Sequence, residues 1–145
     1  MLMAPILARE VAGAPRRLST WTSDVARAMG ITYVEGTVRG PRGAAHVRLL
    51  VDSGATYSLL PHAVWRAIGL APTRDVDFAL ADGSTVHRGV SECRVELALG
   101  AAHSPVVLGE PGDDQALLGV VTLENLGLVF NPSSRTLQPM RMLLV

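Results

Sequence analysis

The sequence contains no lysine and a single cysteine, and these two scarcities exclude several kinds of chemistry. Without lysine, the chain holds neither a P-loop lysine for phosphate binding nor a lysine that forms a Schiff base with a carbonyl substrate. With one cysteine, it forms no internal disulfide and no zinc site that needs two or more thiolates. The histidines show no spacing typical of metal ligands and lie at His46, His62, His87 and His103. The sequence therefore predicts no metal ion and no other cofactor.

The sequence also has no formal net charge at pH 7, because 13 arginines balance 13 aspartates and glutamates. A neutral chain without a basic stretch argues against nucleic-acid binding. No apolar run reaches the roughly 18 residues of a membrane-spanning helix. Residues 1–8 are apolar, but they are too few for the core of a signal peptide and lack a basic lead. We therefore expect a cytoplasmic protein with no nucleic-acid partner and no membrane partner.

The length of 145 residues suits one domain, and a content of 48% hydrophobic and 18% charged residues is typical of a globular protein. Residues 1–28 lack both strand alternation and a clear helical stripe, although Ser23 could cap a short helix over residues 24–29. Regular patterning begins at Ile31. We therefore predict an N-terminal extension over residues 1–28, which is either disordered or a mis-assigned start, and a single domain over residues 29–145.

Beyond Ile31, short alternating or apolar segments separated by turn signals predict a series of strands. These segments lie at residues 31–38, 45–51, 76–81, 92–99, 105–108, 116–118, 128–130 and 135–137. Pro61 and Gly69 are typical of the start and end of a short helix, and residues 122–126 predict another helix that stops at Gly127. In the long return strand, Cys93, Leu97 and Leu99 are predicted to share the inward face. The pattern favours a mostly-β barrel or sandwich with two small helices.

One strand of this series runs directly into a carboxylate, in the segment Leu49-Leu50-Val51-Asp52-Ser53-Gly54-Ala55-Thr56. The glycine lets the chain turn sharply out of the strand and leaves Asp52 at the strand end. A carboxylate held there costs free energy unless it has hydrogen-bond partners or a catalytic role. Two interpretations fit these residues: an Asx turn that merely ends the strand, or a catalytic carboxylate that faces a cleft.

A second segment, Ala116-Leu117-Leu118-Gly119, follows about 65 residues later and leads into the predicted second helix. Taken with the Asp52 segment and the hairpin turn at Ala81-Asp82-Gly83, it resembles the retropepsin-like (retroviral-type, clan AA) aspartic proteases, and in particular their bacterial members. The resemblance covers residues 31–140. It implies a mostly-β fold in which a closed β-barrel half-enzyme, with one or two short helices, acts as a homodimer.

The resemblance also implies roles for the active-site loop. Asp52 corresponds to the catalytic carboxylate, and the hydroxyl of Ser53 would hold the two active-site loops of the dimer together. Gly54 and Ala55 would form the tight turn below the substrate. Thr56 would hydrogen-bond either the substrate backbone or the loop itself.

Outside that loop, the resemblance makes Asp82 and Gly83 the tip of a flap that closes over a bound peptide. Gly119 would pack where the second apolar strand crosses behind the active-site loop. Two positions depart from the viral pattern, which has an aspartate in place of Thr56 and an arginine in place of Val120. The ion pair that those viral residues make is therefore absent from this sequence.

Aspartic-protease chemistry requires two carboxylates that share one proton. No second aspartate in the sequence follows an apolar strand in the way that Asp52 does, because Asp82 lies in a hairpin turn and Asp113-Asp114 lies in a Gly-Pro loop. We therefore expect an aspartic endopeptidase that hydrolyses peptide bonds with a water activated by the paired Asp52 carboxylates of a homodimer. Its substrate would be an extended peptide or an unfolded protein segment.

The alternative is a non-catalytic peptide-binding or dimerisation module on the same fold, since fold alone does not decide function. The apolar ending Met142-Leu143-Leu144-Val145 is a candidate for the dimer interface under either hypothesis. Two smaller features have both a structural and a functional interpretation. Cys93 is predicted to be a core thiol rather than a nucleophile, and the acidic loop that contains Glu110 is predicted to be solvated rather than part of the cleft rim.

A chain shortened to begin at Met29 should fold and melt like the full-length chain, because residues 1–28 lack core patterning. Thermal unfolding of the two chains, followed by circular dichroism at equal concentration, measures this directly. A large fall in the melting temperature of the shortened chain would show that the extension is part of the folded domain.

Overall fold

The computed structural model describes residues 30–144. The predicted N-terminal extension, the predicted helix over residues 24–29 and Val145 lie outside this range. The strands are β1 (Tyr33–Gly40), β2 (Gly43–Val51), β3 (Ser58–Leu60), β4 (Arg74–Ala79), β5 (Thr85–Leu97), β6 (Gly100–Leu108), β7 (Ala116–Leu118), β8 (Leu128–Asn131) and β9 (Thr136–Pro139). The helices are α1 (His62–Ala67) and α2 (Val120–Asn125).

Six of the described strands form a closed barrel in the order β1-β2-β7-β3-β6-β5. The barrel closes because β1 pairs with β5 as well as with β2, and the closing register places Val38 opposite Val95. Strand β5 is long enough to leave the barrel, and its first half pairs with β4 as a protruding antiparallel hairpin. The predicted mostly-β barrel with two short helices is confirmed.

Two of the barrel pairings are parallel, and they position the candidate site. Strand β2 runs parallel to β7, with Val51 opposite Leu118, and β3 runs parallel to β6. The carboxyl ends of β2 and β7 therefore meet at the same edge of the sheet. This arrangement brings Asp52 beside the Leu118-Gly119 segment, although the two segments are far apart in the sequence.

The core lies inside the barrel and consists of aliphatic side chains from most of its strands. The most deeply buried large side chains are at most 1% exposed and are Val38, Leu49, Leu60, Ile68, Val90, Val106 and Leu118. Cys93 is 3% exposed, and burial raises the pKa of its thiol to about 11. A thiol that stays protonated is a poor nucleophile, so the predicted core role of Cys93 is confirmed.

The predicted inward position of Leu99 is wrong. Strand β5 ends at Leu97, and Leu99 lies in the turn that leads to β6, with 54% of the residue exposed. Beyond the barrel, β8 and β9 form a separate antiparallel hairpin, which is anchored by buried Leu128. None of the helices within residues 30–144 has the length and apolar character needed to cross a membrane.

Candidate active site

Asp52 is held at the end of β2 by its own backbone and by one of its carboxylate oxygens. Its N–H donates to the carbonyl of Leu118 at 3.0 Å, and its carbonyl accepts from the N–H of Ala55 at 3.1 Å. Its Oδ1 atom accepts from the N–H of Gly54 at 3.0 Å. The turn expected from a strand-ending Asx residue is therefore present, and it fixes the direction of the carboxylate.

The other oxygen of this carboxylate is not explained by the turn. Asp52 Oδ2 is buried and accepts no hydrogen bond from any residue within 30–144. A buried acceptor without a donor costs about 1–3 kcal/mol, and more when it is charged. An Asx turn that merely ends the strand uses only Oδ1. The burial of Oδ2 is therefore the feature that this turn leaves unexplained.

The loop that carries Asp52 is clamped by the first turn of α2. The N–H of Val120 donates to the carbonyl of Ala55 at 2.9 Å, and the N–H of Val121 donates to the carbonyl of Thr56 at 3.0 Å. Only backbone atoms take part in these contacts. The viral side-chain ion pair that the sequence lacks at Thr56 and Val120 is therefore not needed to hold the loop against the helix.

Gly119 lies where the second segment crosses behind this loop. A Cβ atom at this position would come within 2.5 Å of the carbonyl carbon of Tyr57 and within 2.6 Å of its oxygen. Real Cβ atoms do not approach backbone so closely, and only glycine allows the two segments to touch. The structure thus places Gly119 directly against the backbone at the end of the active-site loop.

A chain of three buried hydroxyls lies behind Gly119, and sequence reasoning did not predict it. Ser58, Thr122 and Ser104 are each at most 2% exposed. The N–H of Gly119 donates to Ser58 Oγ at 3.0 Å, Ser58 Oγ lies 2.5 Å from Thr122 Oγ1, and Thr122 Oγ1 lies 2.7 Å from Ser104 Oγ. Ser104 Oγ in turn donates to the carbonyl of Pro105 at 3.1 Å.

The two ends of this chain decide the direction of its middle bonds. A hydroxyl has one proton to donate, and that of Ser104 goes to the Pro105 carbonyl, so Ser104 accepts from Thr122. Thr122 must then accept from Ser58, which accepts from the Gly119 N–H. Each hydroxyl donates once and accepts once, so α2, β3 and β6 are linked to the turn at Gly119 with every polar atom of the chain satisfied.

The remaining predicted loop residues lie at the surface of the single chain. Ser53, Gly54 and Thr56 are exposed, and Ala55 is half-buried. An exposed Ser53 beside Asp52 is compatible with contact to a second loop. The roles predicted for these four residues stay predictions.

The hairpin turn between β4 and β5 contains Asp82 and Gly83. Gly83 has a φ of +86°, a conformation that favours glycine. Asp82 Oδ1 accepts from both the N–H and the hydroxyl of Ser84, at 2.9 and 2.5 Å. These hydrogen bonds lower the pKa of Asp82. Its carboxylate therefore stabilises its own turn, while the predicted role of this turn as a flap tip remains a prediction.

The two faces of this hairpin carry different chemistry. On one face, Asp77 lies opposite His87, and His87 Nδ1 lies 2.7 Å from Asp77 Oδ1. The other, which we call the inner face, carries Arg74, Val76 and Phe78 on β4. The Phe78 ring contacts the edge of Tyr57 in the active-site loop, with the ring centroids 5.9 Å apart.

The acidic loop before β7 is closed by its own hydrogen bonds. The N–H of Glu110 donates to Asp113 Oδ2 and the N–H of Asp113 donates to the carbonyl of Glu110, both at 2.8 Å. Asp113 therefore serves the turn in which it lies. Glu110 is exposed, in agreement with a solvated loop.

Comparisons with known proteins were made for the sequence and for the structure. A family model described as "gag-polyprotein putative aspartyl protease" matches residues 34–125, a range that contains Asp52, the hairpin and Gly119. The fold is similar to the solution structure of the simian foamy virus (mac) protease, with a TM-score of 0.48 and 18% sequence identity; the match covers 64% of this chain and 92% of the viral chain. No curated protein matches the sequence significantly.

Replacing Thr122 by valine should destabilise the fold. The change keeps the shape of the side chain but leaves the buried hydroxyls of Ser58 and Ser104 each short of a partner. The expected loss of unfolding free energy is about 1–3 kcal/mol, measured by urea denaturation. Thr122→Ser keeps the hydroxyl and removes one methyl group, so it is the matched control. A valine variant as stable as the wild type would show that the hydroxyl chain does not contribute.

Replacing Asp77 by asparagine should lower the pKa of His87 toward its ordinary value of 6.5. The hydrogen bond to Asp77 is the main cause that raises this pKa. Because this pKa is raised in the folded wild type, protonation of His87 stabilises the folded hairpin. This contribution to the free energy of unfolding is fully present below pH 6.5 and is lost as the pH rises through the raised pKa. An NMR titration of the His87 ring measures the shift.

Asp75 provides the matched control for that titration. Its carboxylate lies 3.7 Å from the far ring nitrogen of His87 and is the smallest of the causes that act on the ring. Asp75→Asn should therefore move the His87 pKa less than Asp77→Asn does. Equal pKa values in the wild type and Asp77→Asn would contradict the assignment.

Proposed function

The chain belongs to the retropepsin-like aspartic protease family, and we propose that it is an endopeptidase in which the Asp52 residues of two identical chains activate one water molecule. The observation that carries this proposal is the state of the Asp52 carboxylate. One oxygen is fixed by the Gly54 N–H, and the other is buried without a hydrogen-bond partner in the described chain. A second carboxylate and a water would supply the missing partners.

The proposed reaction uses two equivalent carboxylates in different protonation states. One is ionised and takes a proton from the water, while the other is protonated and hydrogen-bonds the carbonyl of the scissile peptide. Two carboxylates about 3 Å apart do not both ionise, so the pair shares a single proton. The Gly54 N–H would hold each Asp52 in the direction that this sharing requires.

In this proposal, the second carboxylate comes from a second copy of the chain. Among the described residues, Asp82 and Asp113 serve their own turns, because Asp82 accepts from the N–H of Ser84 and Asp113 accepts from the N–H of Glu110. A two-fold axis between two Asp52 side chains would place the same loop on both sides of the reacting bond. One site would then form per dimer.

The end of the chain supports this assembly. Met142, Leu143 and Leu144 are 70%, 79% and 98% exposed, and they are consecutive. Three neighbouring apolar residues left in water favour a contact with another chain. We propose that this ending joins its counterpart in the dimer interface, and that the exposed Ser53 hydroxyl links the two active-site loops.

The substrate in this proposal is an extended peptide or an unfolded segment of a protein. The peptide would lie between the active-site loop and the hairpin of β4 and β5, bound by main-chain hydrogen bonds as an added strand. Closure of the hairpin would exclude water from the reacting bond. The cytoplasmic location predicted from the sequence stays a prediction.

Asp52→Asn should abolish peptide cleavage while the fold and the dimer persist, because asparagine keeps the shape of the side chain but cannot accept the proton of the water. A loss of at least ~10³-fold is expected when a catalytic unit is broken. Cleavage of a random peptide library by the wild type and the variant, followed by mass spectrometry, measures the loss. Circular dichroism and sedimentation of both proteins serve as controls.

Subunit mixing tests the shared pair separately. After exchange with an excess of Asp52→Asn chains, the activity should be lower than that of the same amount of wild-type chains alone, because a mixed dimer holds only one competent carboxylate. Activity that scales with the wild type after confirmed exchange, or a fully active monomer, would refute the shared pair. Peptide binding by the wild type without any cleavage would instead favour the non-catalytic binding module.

A further inference from the structure

Arg74 is held over the active-site loop by a tyrosine of that loop. Its Nη2 atom donates to the hydroxyl of Tyr57 at 2.8 Å, and its guanidinium carbon lies 5.5 Å from the centre of the Tyr57 ring. A guanidinium has five N–H donors in a fixed plane. One of them is used by Tyr57, so the hydrogen bond orients the group without satisfying it.

Tyr57 also contacts a second residue of the hairpin that would cover the substrate. The Phe78 ring meets the Tyr57 ring edge-on at 5.9 Å and an interplanar angle of 78°. Arg74, Val76 and Phe78 are spaced two residues apart along β4, so all three lie on the inner face. The two aromatic rings and the guanidinium therefore form one wall where the hairpin meets the active-site loop. Within this wall, Tyr57 lies five positions after Asp52.

The positive charge of this wall is not neutralised by the described part of the chain. Arg74 is exposed, and no described carboxylate forms an ion pair with it, whereas Arg39 and Arg94 are both paired with Glu96. The carboxylates nearest to Arg74 in sequence are Asp75 and Asp77, and both of these face His87 on the opposite side of the hairpin.

A second arginine lies on the same face. Arg88 is opposite Val76 in the register of β4 and β5 and is half-buried. It donates to the carbonyl of His87 at 3.0 Å. The inner face of the hairpin thus carries two cations, Arg74 and Arg88, while its carboxylates Asp75 and Asp77 lie on the other face.

We propose that Arg74, oriented by Tyr57, selects an acidic side chain in the peptide that the protein binds. The inference rests on the proposed function, because it places the peptide between the active-site loop and the hairpin. A glutamate or aspartate side chain would accept two hydrogen bonds from the guanidinium, and its aliphatic part would pack on the rings of Tyr57 and Phe78.

The symmetry of the proposed dimer predicts a preference for acidic residues at two positions of the peptide. Each chain contributes one Arg74 wall, and the two-fold axis relates these walls across the scissile bond. Acidic residues should therefore be favoured at one position on each side of the cleaved bond. A preference on both sides distinguishes this wall from a single surface charge that merely attracts acidic peptides.

The test is a profile of cleaved sequences from a random peptide library for the wild type, Arg74→Gln and Arg74→Glu. The wild type should cleave peptides with glutamate at the selected positions on the order of tenfold faster than peptides with glutamine, as expected for a partly desolvated ion pair. Arg74→Gln should remove this preference, and Arg74→Glu should replace it by a preference for arginine or lysine. Arg94→Gln, which alters an arginine already paired with Glu96, should leave the profile unchanged.

A binding measurement separates this inference from the proposed function. Labelled peptides that differ only by glutamate or glutamine are titrated with Asp52→Asn, and with the same variant carrying Arg74→Gln, by fluorescence anisotropy. Acid-selective binding that requires Arg74 supports the inference even where the wild type cleaves nothing, an outcome that would refute only the proposed activity. Cleavage or binding without an acidic preference, or with a preference that Arg74→Gln leaves intact, would overturn the inference.

Discussion

The contact between Gly119 and the backbone of Tyr57 is the constraint on which the rest of the site depends. It lets the end of β7 cross directly behind the active-site loop, with no room for a Cβ atom. Once the two segments touch, the N–H of Asp52 reaches Leu118, and the first N–H groups of α2 reach the loop carbonyls. The backbone position of Asp52 is therefore set by contacts between backbone atoms.

The buried oxygen of Asp52 and the exposed apolar ending have a common consequence for the single chain. A buried acceptor without a donor among residues 30–144 and three exposed apolar side chains both raise the free energy of a single chain. Association that satisfied them would stabilise the folded state and make its stability depend on protein concentration. The features on which the proposed dimer rests are thus the ones that raise the free energy of the single chain.

Local features of the site could be predicted from the sequence, and long-range ones could not. The strand that ends in Asp52, the turn at Gly54 and the hairpin at Asp82-Gly83 depend on neighbouring residues, and the structure contains each of them. The hydroxyl chain joins Ser58 to Thr122 across 64 positions, and no local pattern marks such a contact. The error at Leu99 has a related cause, because alternation shows which residues share a face but not where the strand stops.

The wall formed by Tyr57, Phe78 and Arg74 could not be predicted from the sequence for a similar reason. Tyr57 and Phe78 lie in different elements, and their edge contact depends on how far the hairpin leans over the loop. Alternation along β4 separates Arg74 from Asp75, but it does not say which face turns inward. The distribution of charge between the two faces of the hairpin therefore became visible only when the Tyr57 contacts were known.

The one-way order of the hydroxyl chain has a consequence for how this sequence can change over time. Each member passes on the hydrogen bond that it receives, so losing one hydroxyl leaves its neighbours unsatisfied in the barrel interior. Positions 58, 104 and 122 are therefore expected to vary as a group among relatives, either keeping three hydroxyls or adopting a different set that still provides an acceptor for the Gly119 N–H. A single substitution that removes one of these hydroxyls would be selected against because it destabilises the fold, even though it does not alter Asp52.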